Sequence, residues 1–306
     1  MARFYRGEIV SAYDALTRLA NADDTLEQRS QVSRFQVDPD VMTRFSLAFV
    51  AWVHGDFARA EEAAGIAVNR ATAMKHLVSQ SAAIAMAVLP ISLWTDNLDN
   101  LEKHLGLLVD NLNQKGLAIW TPLSHFFGAA LQHRRGSADS LELMRLAVEK
   151  IVSSGFLIRA PIYIGMLAEA ALERGRIDLA QASISDALAR ADQQEEIWCQ
   201  PELLRVRGLV EHRLGRHASA EDIQLRAVQT AERSGALFFQ HRAAHDLANY
   251  WMKTGRRSAA EALLKPLCRC LPLHSSNREI GKVRRLLDQS GAVERAAARE
   301  RIQTSH

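Results

Sequence analysis

The chain predicts an all-α fold, a right-handed α-solenoid of antiparallel helix hairpins with a period of about 40 residues. Three observations predict it. Short segments opening on Gly recur along the chain, and from Gly136 through Gly175 and Gly215 to Gly255 they are spaced by 39, 40 and 40 residues. Proline is scarce while Ala, Leu, Arg, Glu and Gln abound, a composition that favours helix. No run of alternating Val, Ile and Thr asks to be a strand.

Each segment is one turn inside a hairpin. Gly55, Gly136, Gly175, Gly215 and Gly255 end a helix, because Gly takes positive φ at little cost, and the next helix starts two or three residues later. Five residues on stands Ala60, Ala180, Ala220 or Ala260, with Leu101 and Leu141 in the other copies. Seven residues before the Gly stands Ala48, Ala129, Ala168, Gly208 or Ala248, with Leu89 as the large exception. One small side chain per helix lets the two helices approach closely, and apolar residues at helical spacing fill the rest. The copy between Gly55 and Gly136 is Asp96-Asn97-Leu98-Asp99, without its Gly, and a first copy begins at Gly7.

A second mark lies half a period away, at Gly116, Gly155 and Gly235, where one hairpin hands over to the next. Pro39, Pro122, Pro161 and Pro201 fall near the starts of first helices, where proline is tolerated. Pro90 falls inside one, so that hairpin is expected to be the most distorted. The layout is one solenoid domain over 1–290: a half-hairpin at 1–21 and six hairpins at 39–73, 77–113, 119–153, 160–192, 198–233 and 237–271. A C-terminal helix at 277–289 and a polar tail at 291–306 complete it. The start at Met1 enters midway through a first helix, so the sequence reads as a fragment, a split gene or a remnant of a longer protein. In a stand-alone protein the face of helix 8–21 is expected to be a dimerisation or aggregation liability.

Bulk properties narrow the function. A net charge of +3 is too small to imply nucleic acid, and its excess comes from residues 271–306, with seven Lys and Arg against four Asp and Glu. Cys199, Cys268 and Cys270 form an odd, sparse set that fits a reducing cytoplasm. The N-terminus lacks the apolar core of a signal peptide, and the longest apolar stretch, Ile84 to Leu93, is about half a membrane span.

The small residue, the turn Gly and the Ala five residues later resemble the tetratricopeptide pattern, at a longer period than that family's usual one. A narrower resemblance rests on four stretches in order: Arg34-Phe35-Gln36-Val37-Asp38, Ala87 to Trp94, Pro201 to Gly208 and Arg242 to Ala248. These look like the tetratricopeptide-like C-terminal arrays of large bacterial regulators. Such proteins carry a winged-helix or class III cyclase domain and a signalling ATPase ahead of the array, and the maltose-regulon activator is a distant relative. The resemblance implies a sensing or autoinhibitory array coupling an inducer or partner protein to the ATPase. The chain departs from the full plan: Gly281-Lys282 is followed by Val283, with Ser276 where a phosphate loop needs Gly, and no winged-helix segment fits.

Sites for chemistry are sparse. His241 and His245 share a helix face as a metal pair would, but Arg242 stands where a zinc protease needs Glu. Cys268 and Cys270 point to opposing helix faces, unlike a zinc or redox pair. Glu61 and its repeats follow turns, where the helix dipole favours carboxylates, and no Gly-x-Ser-x-Gly elbow occurs. No catalytic residue, cofactor or metal site is assigned.

In tetratricopeptide register the concave face takes first-helix positions 13, 10, 6, 3 and 2 before the turn Gly. At the N-terminal end these are Met42, Phe45, Phe49, Trp52 and Val53. Further on they are Glu202, Arg205, Leu209, His212 and Arg213, then Arg242, His245, Asn249, Met252 and Lys253. The groove is expected to run from apolar to basic and to take a helix or extended segment with an acidic end. Alternatively its apolar end packs on a missing N-terminal portion. The expected function is a non-catalytic, cytoplasmic protein-interaction and regulatory module, with small-molecule inducer sensing as the alternative. Neither direct nucleic-acid contact nor a membrane is expected.

Overall fold

A computed structural model describes residues 1–21, 36–113, 117–269 and 280–288. All regular structure among them is helical. The chain opens with α1 (Ala2–Tyr5) and α2 (Ile9–Ala20). The hairpins follow: α3 (Pro39–His54) with α4 (Phe57–Ala73), α5 (Leu77–Trp94) with α6 (Leu98–Leu112), and α7 (Thr121–Arg134) with α8 (Ser140–Ser153). Next come α9 (Ala160–Glu173) with α10 (Ile177–Gln193), α11 (Gln200–Arg213) with α12 (His217–Ser234), and α13 (Leu237–Lys253) with α14 (Arg257–Arg269). A last helix, α15, spans 280–288. The turn residue Gly116, the connection at 22–35, Cys270 and the tail at 291–306 lie outside the described residues.

Each helix packs mainly on its sequence neighbours, an α-repeat-like arrangement. The glycine turns adopt positive φ as expected, and the turns that lack Gly do so too: Asp96 at 59° inside its hairpin, Lys75 at 54° and Glu195 at 55° between hairpins. Side-chain caps fix several starts. Asp38, Asp56 and Asn97 each accept from the backbone N–H three residues on, bonds worth about 1 kcal/mol apiece. The small-residue slots are buried at Ala48, Ala60, Ala168, Ala180, Ala220 and Ala260. At Gly208 a Cβ would stand 2.7 Å from Gln224 Cγ, so the hairpin leaves no room for a side chain there.

Pro90 distorts its helix one turn upstream, where Ile84–Val88 is wound as a π turn. Proline has no N–H to give the carbonyl four residues back, which is Met86 O. That carbonyl instead accepts from Arg159 Nη1 at 2.5 Å. Leu77–Trp94, with mean hydropathy 1.6, is long and apolar enough to cross a membrane, yet 89% of it is buried inside the protein. A core helix of a hairpin stack has this composition because it is covered on every side.

The array also packs on itself across five hairpins. α3 meets α13: Trp52 lies edge-on to Phe238 at 5.4 Å between ring centroids, and His54 Nδ1 is 3.3 Å from Gly235 O. Phe4 and Phe49 sit against Trp198, at 4.9 and 5.2 Å. The buried face of α2, including Ile9 and Leu16, packs on α3, while Val10 and Leu19 on the same helix remain exposed. The apolar end of the expected groove is therefore filled, and by the chain's own later hairpins rather than by a missing portion. Phe45, Phe49, Trp52 and Val53 are core residues, and of that group only Met42 is exposed. Large aromatic side chains facing each other across a closing array release roughly 1.5–3 kcal/mol each on burial, more than an open groove would return.

Candidate functional site

The first helices α9, α11 and α13 lie side by side, and a recess of about 200 Å³ opens between them. Of the expected groove residues it gathers Arg205, Leu209, His212, Arg213 and Arg242. Glu169 and Asp246 face them.

Arg205, from the second turn of α11, is the hub. Its Nε donates to Glu202 Oε2 at 2.9 Å, Nη1 to Asp246 Oδ2 at 2.6 Å, and Nη2 to Glu169 Oε1 at 2.5 Å and Glu202 Oε1 at 2.8 Å. Arg242, one hairpin later, donates through Nη2 to both oxygens of Glu169 at 2.8 and 2.9 Å. Two guanidinium groups thus share three carboxylates drawn from three different first helices. Planar, fully charged guanidinium suits such shared pairing better than an ammonium would.

These contacts set the protonation states. Burial alone would raise the Glu169 carboxyl, but Arg205 and Arg242 outweigh it and hold the group well below the usual carboxylate range. For Asp246 burial again opposes, and Arg205 with His245 Nδ1, 3.1 Å away, brings the carboxyl down. Burial works against the charge on Arg205, and Glu169, Glu202 and Asp246 hold it firmly protonated. At the rim, burial and the nearby His217 lower His212, favouring neutral imidazole. Its Nδ1 lies 3.1 Å from His217 Nδ1, and its ring stands edge-on to Tyr250 at 4.4 Å.

The other expected groove residues lie elsewhere. His245 and Asn249 are half-buried on α13, and Lys253 is exposed near its end. His241 does not face outward with His245: it is buried, with Nδ1 2.7 Å from Leu237 O, and burial lowers its pKa. Glu169 and Glu173 were reachable from the sequence, because positions 6 and 2 before Gly175 are those residues. The same count before Gly136 gives Ala130, His133 and Arg134, which line a smaller recess continuous with the first through Glu169 and Arg242. There His133 Nε2 pairs with Glu173 Oε2 at 2.8 Å. Asp246 falls on no concave slot, and nothing in the repeat pattern marks it.

No known protein-family model matches this sequence. A relative from Rhizobium meliloti (strain 1021), the uncharacterized protein R02095, is 29% identical over 132 residues, which is 43% of this chain and 13% of that protein. The chain therefore spans a small part of a much longer relative.

The recess is suited to recognition. Arginine holds Glu169 and Asp246 ionised, so these two have no proton to give near neutral pH. Among the described residues no three His, Cys, Asp or Glu side chains converge to hold a metal ion. Cys199 lies outside the recess, buried, with its thiol 3.2 Å from Glu196 O and pushed well up by burial.

Proposed function

We propose that this chain is a non-catalytic regulatory binding array, the sensing or autoinhibitory part of a bacterial transcriptional or signalling regulator acting in the cytoplasm. The observation that carries the reading is the Arg205 hub, a rigid, charged recess on the face where first helices of a repeat array meet their partners. The order of the sequence stretches that resemble such regulators supports it, and so does a relative far longer than the chain. The partner is a protein segment, contributed by another molecule or by an ATPase or DNA-binding portion of a longer regulator. It inserts a polar or charged side chain between α9, α11 and α13.

Site-specific photo-crosslinking in cells tests this. A photoreactive residue at Leu209 or Arg213 is expected to give discrete adducts, and one at Ile66 on α4 is expected to give none. Equal labelling from both faces, or none from the recess, overturns the proposal.

A second reading has its own support in the size of the recess. About 200 Å³ with paired charges on its walls suits a small polar inducer. Under that reading a sugar or amino-acid panel raises the melting temperature of the wild type and leaves an Arg213→Ala variant unmoved.

A further inference from the structure

The hairpin of α5 and α6 is built differently from the others, and a recess of about 200 Å³ opens against it. Both of its close-approach slots hold leucine, Leu89 and Leu101, and both side chains are fully buried. Larger side chains at a helix contact set a wider separation. The π turn at Ile84–Val88, immediately before Leu89, is an irregularity that often accompanies a functional site. The recess lies where α4 and α6 flank this part of α5. Its floor is apolar and buried: Val88 from the π turn, Ile91 just beyond Pro90 and Val68 from α4. None of its lining residues is shared with the recess around Arg205.

Three polar groups around that floor present acceptors. Glu61, exposed at the rim, has no hydrogen bond or ion pair among the described residues. His104 Nδ1 lies 3.0 Å from Asn100 O. A carbonyl oxygen only accepts, so Nδ1 carries the proton, and Nε2 of the neutral ring is left as an acceptor. Asn100 spends Nδ2 on Ser92 Oγ at 2.7 Å, which leaves its Oδ1 to accept. Asn69, on the same stripe of α4, adds an amide of either polarity. Among the described residues no Lys or Arg lines this recess, whereas four line the one around Arg205.

We propose that this recess binds a small aliphatic amine, with the ammonium held by Glu61, Asn100 and His104 and the carbon chain laid on Val88, Ile91 and Val68. An ammonium has three donors and no acceptor, which matches three acceptors and one negative charge. Anions meet no cation here, and that excludes an amino acid with a free carboxylate. The volume lies below the roughly 300–1,000 Å³ of pockets for drug-sized ligands, so the chain is short. Gly65 forms part of the wall. It stands in the interior of α4, where Gly weakens a helix relative to Ala, and nothing lies within 4 Å of where its Cβ would be. A side chain at that position has open space to enter.

Isothermal titration calorimetry of the full chain at low salt tests this, with n-butylamine as the probe. Saturable binding in the millimolar range or tighter is expected. Binding should be about fivefold weaker or more for n-butyltrimethylammonium, which keeps the charge and lacks the N–H donors, and absent for n-butyrate. Glu61→Gln should weaken n-butylamine about fivefold or more. Glu62→Gln removes a carboxylate paired with Arg59 outside the recess and should leave binding unchanged. Gly65→Leu should abolish binding without lowering the melting temperature, because the side chain has room and a better helix propensity. Absence of saturable n-butylamine binding overturns the proposal, as does binding that survives Gly65→Leu. Equal binding of the trimethyl compound, or equal weakening by Glu61→Gln and Glu62→Gln, overturns it too, since either marks unspecific attraction of cations.

Discussion

Two arginines face the interior of this array, and they are treated in opposite ways. Arg205 spends every guanidinium nitrogen on carboxylates from three helices. Arg159 is at least as deeply buried, yet only Nη1 is bonded, to Met86 O, while Nε and Nη2 have no hydrogen-bond partner among the described residues. Its guanidinium lies over the Phe49 ring at 3.4 Å, inside the aromatic cluster that joins the two ends. The only carboxylate tied to it, Glu196, accepts from its backbone N–H at 2.8 Å and from Trp198 Nε1 at 3.0 Å. The C-terminal interior is thus an ionic network around an opening. The N-terminal interior is a closed aromatic core that tolerates one poorly satisfied cation. A buried charge with complete pairing resists removal of any member, whereas an incompletely paired one carries an unreturned desolvation cost.

The largest expected effect follows from the network. Arg205→Met removes the guanidinium that Glu169, Glu202 and Asp246 share, leaving Arg242 as the main cation facing Glu169 and Glu202, and should cost about 3–5 kcal/mol in urea unfolding. A loss below about 1 kcal/mol would mean the carboxylates relax into water, and the recess would no longer count as rigid.

The hairpin slots give the next contrast. Position five after the turn holds Leu101 in the hairpin distorted by Pro90 and Ala220 in a regular one, and both are buried. Ala220→Leu should overpack α11 against α12 and cost roughly 1–3 kcal/mol by thermal or urea melting. A neutral result would mean that the regular hairpins open as easily as the irregular one.

Acidification separates the two interiors by sign. Glu169 and Asp246 have depressed folded-state pKa values, so their contribution is complete above the ordinary carboxylate range near about 4 and is lost as the pH falls from there through the depressed values. Burial raises Glu196 despite the bonds from Trp198 and Arg159. Its contribution is therefore full below the unfolded value and is lost as the pH rises through the raised one. In stability–pH profiles, Glu169→Gln should flatten the limb below about pH 4, and Glu196→Gln the limb just above it. The same limb flattened by both variants would refute the opposed assignment.

How far the sequence carries this picture depends on what each feature needs. A glycine turn needs only local backbone freedom, so Gly136 to Gly255 set the period without any structure. The turns at Lys75 and Glu195 use the same backbone on residues that do not advertise it, and only the period could point to them. Helical spacing tells which faces of α3, α11 and α13 turn inward, and Phe49, Trp52, Arg205 and Arg242 on those faces are all buried. It cannot tell that inward faces five hairpins apart meet, because that depends on the accumulated rotation between hairpins. Hence the apolar half of the expected groove is core, and only the charged half is a recess. Arg159, between Ile158 and Pro161, reads as an ordinary loop cation in the sequence, and its burial follows from the same closure.

The smallest effect should be the most informative about that closure. Arg159→Met removes one hydrogen bond, to Met86 O, and a guanidinium that lies over Phe49. It also removes two buried guanidinium nitrogens without partners and fills the space with an apolar chain of similar length. The lost bond and the lost cation–π contact each carry about 1 kcal/mol, and the relieved desolvation is of the same order or larger. The net change in unfolding free energy should therefore lie within about 1 kcal/mol of zero, on either side. If the cost instead approaches that of Arg205→Met, the bond to Met86 O holds the π turn ahead of Pro90 in place. Loss of helical signal from α5 in hydrogen exchange, confined to residues 84–94, would then accompany it.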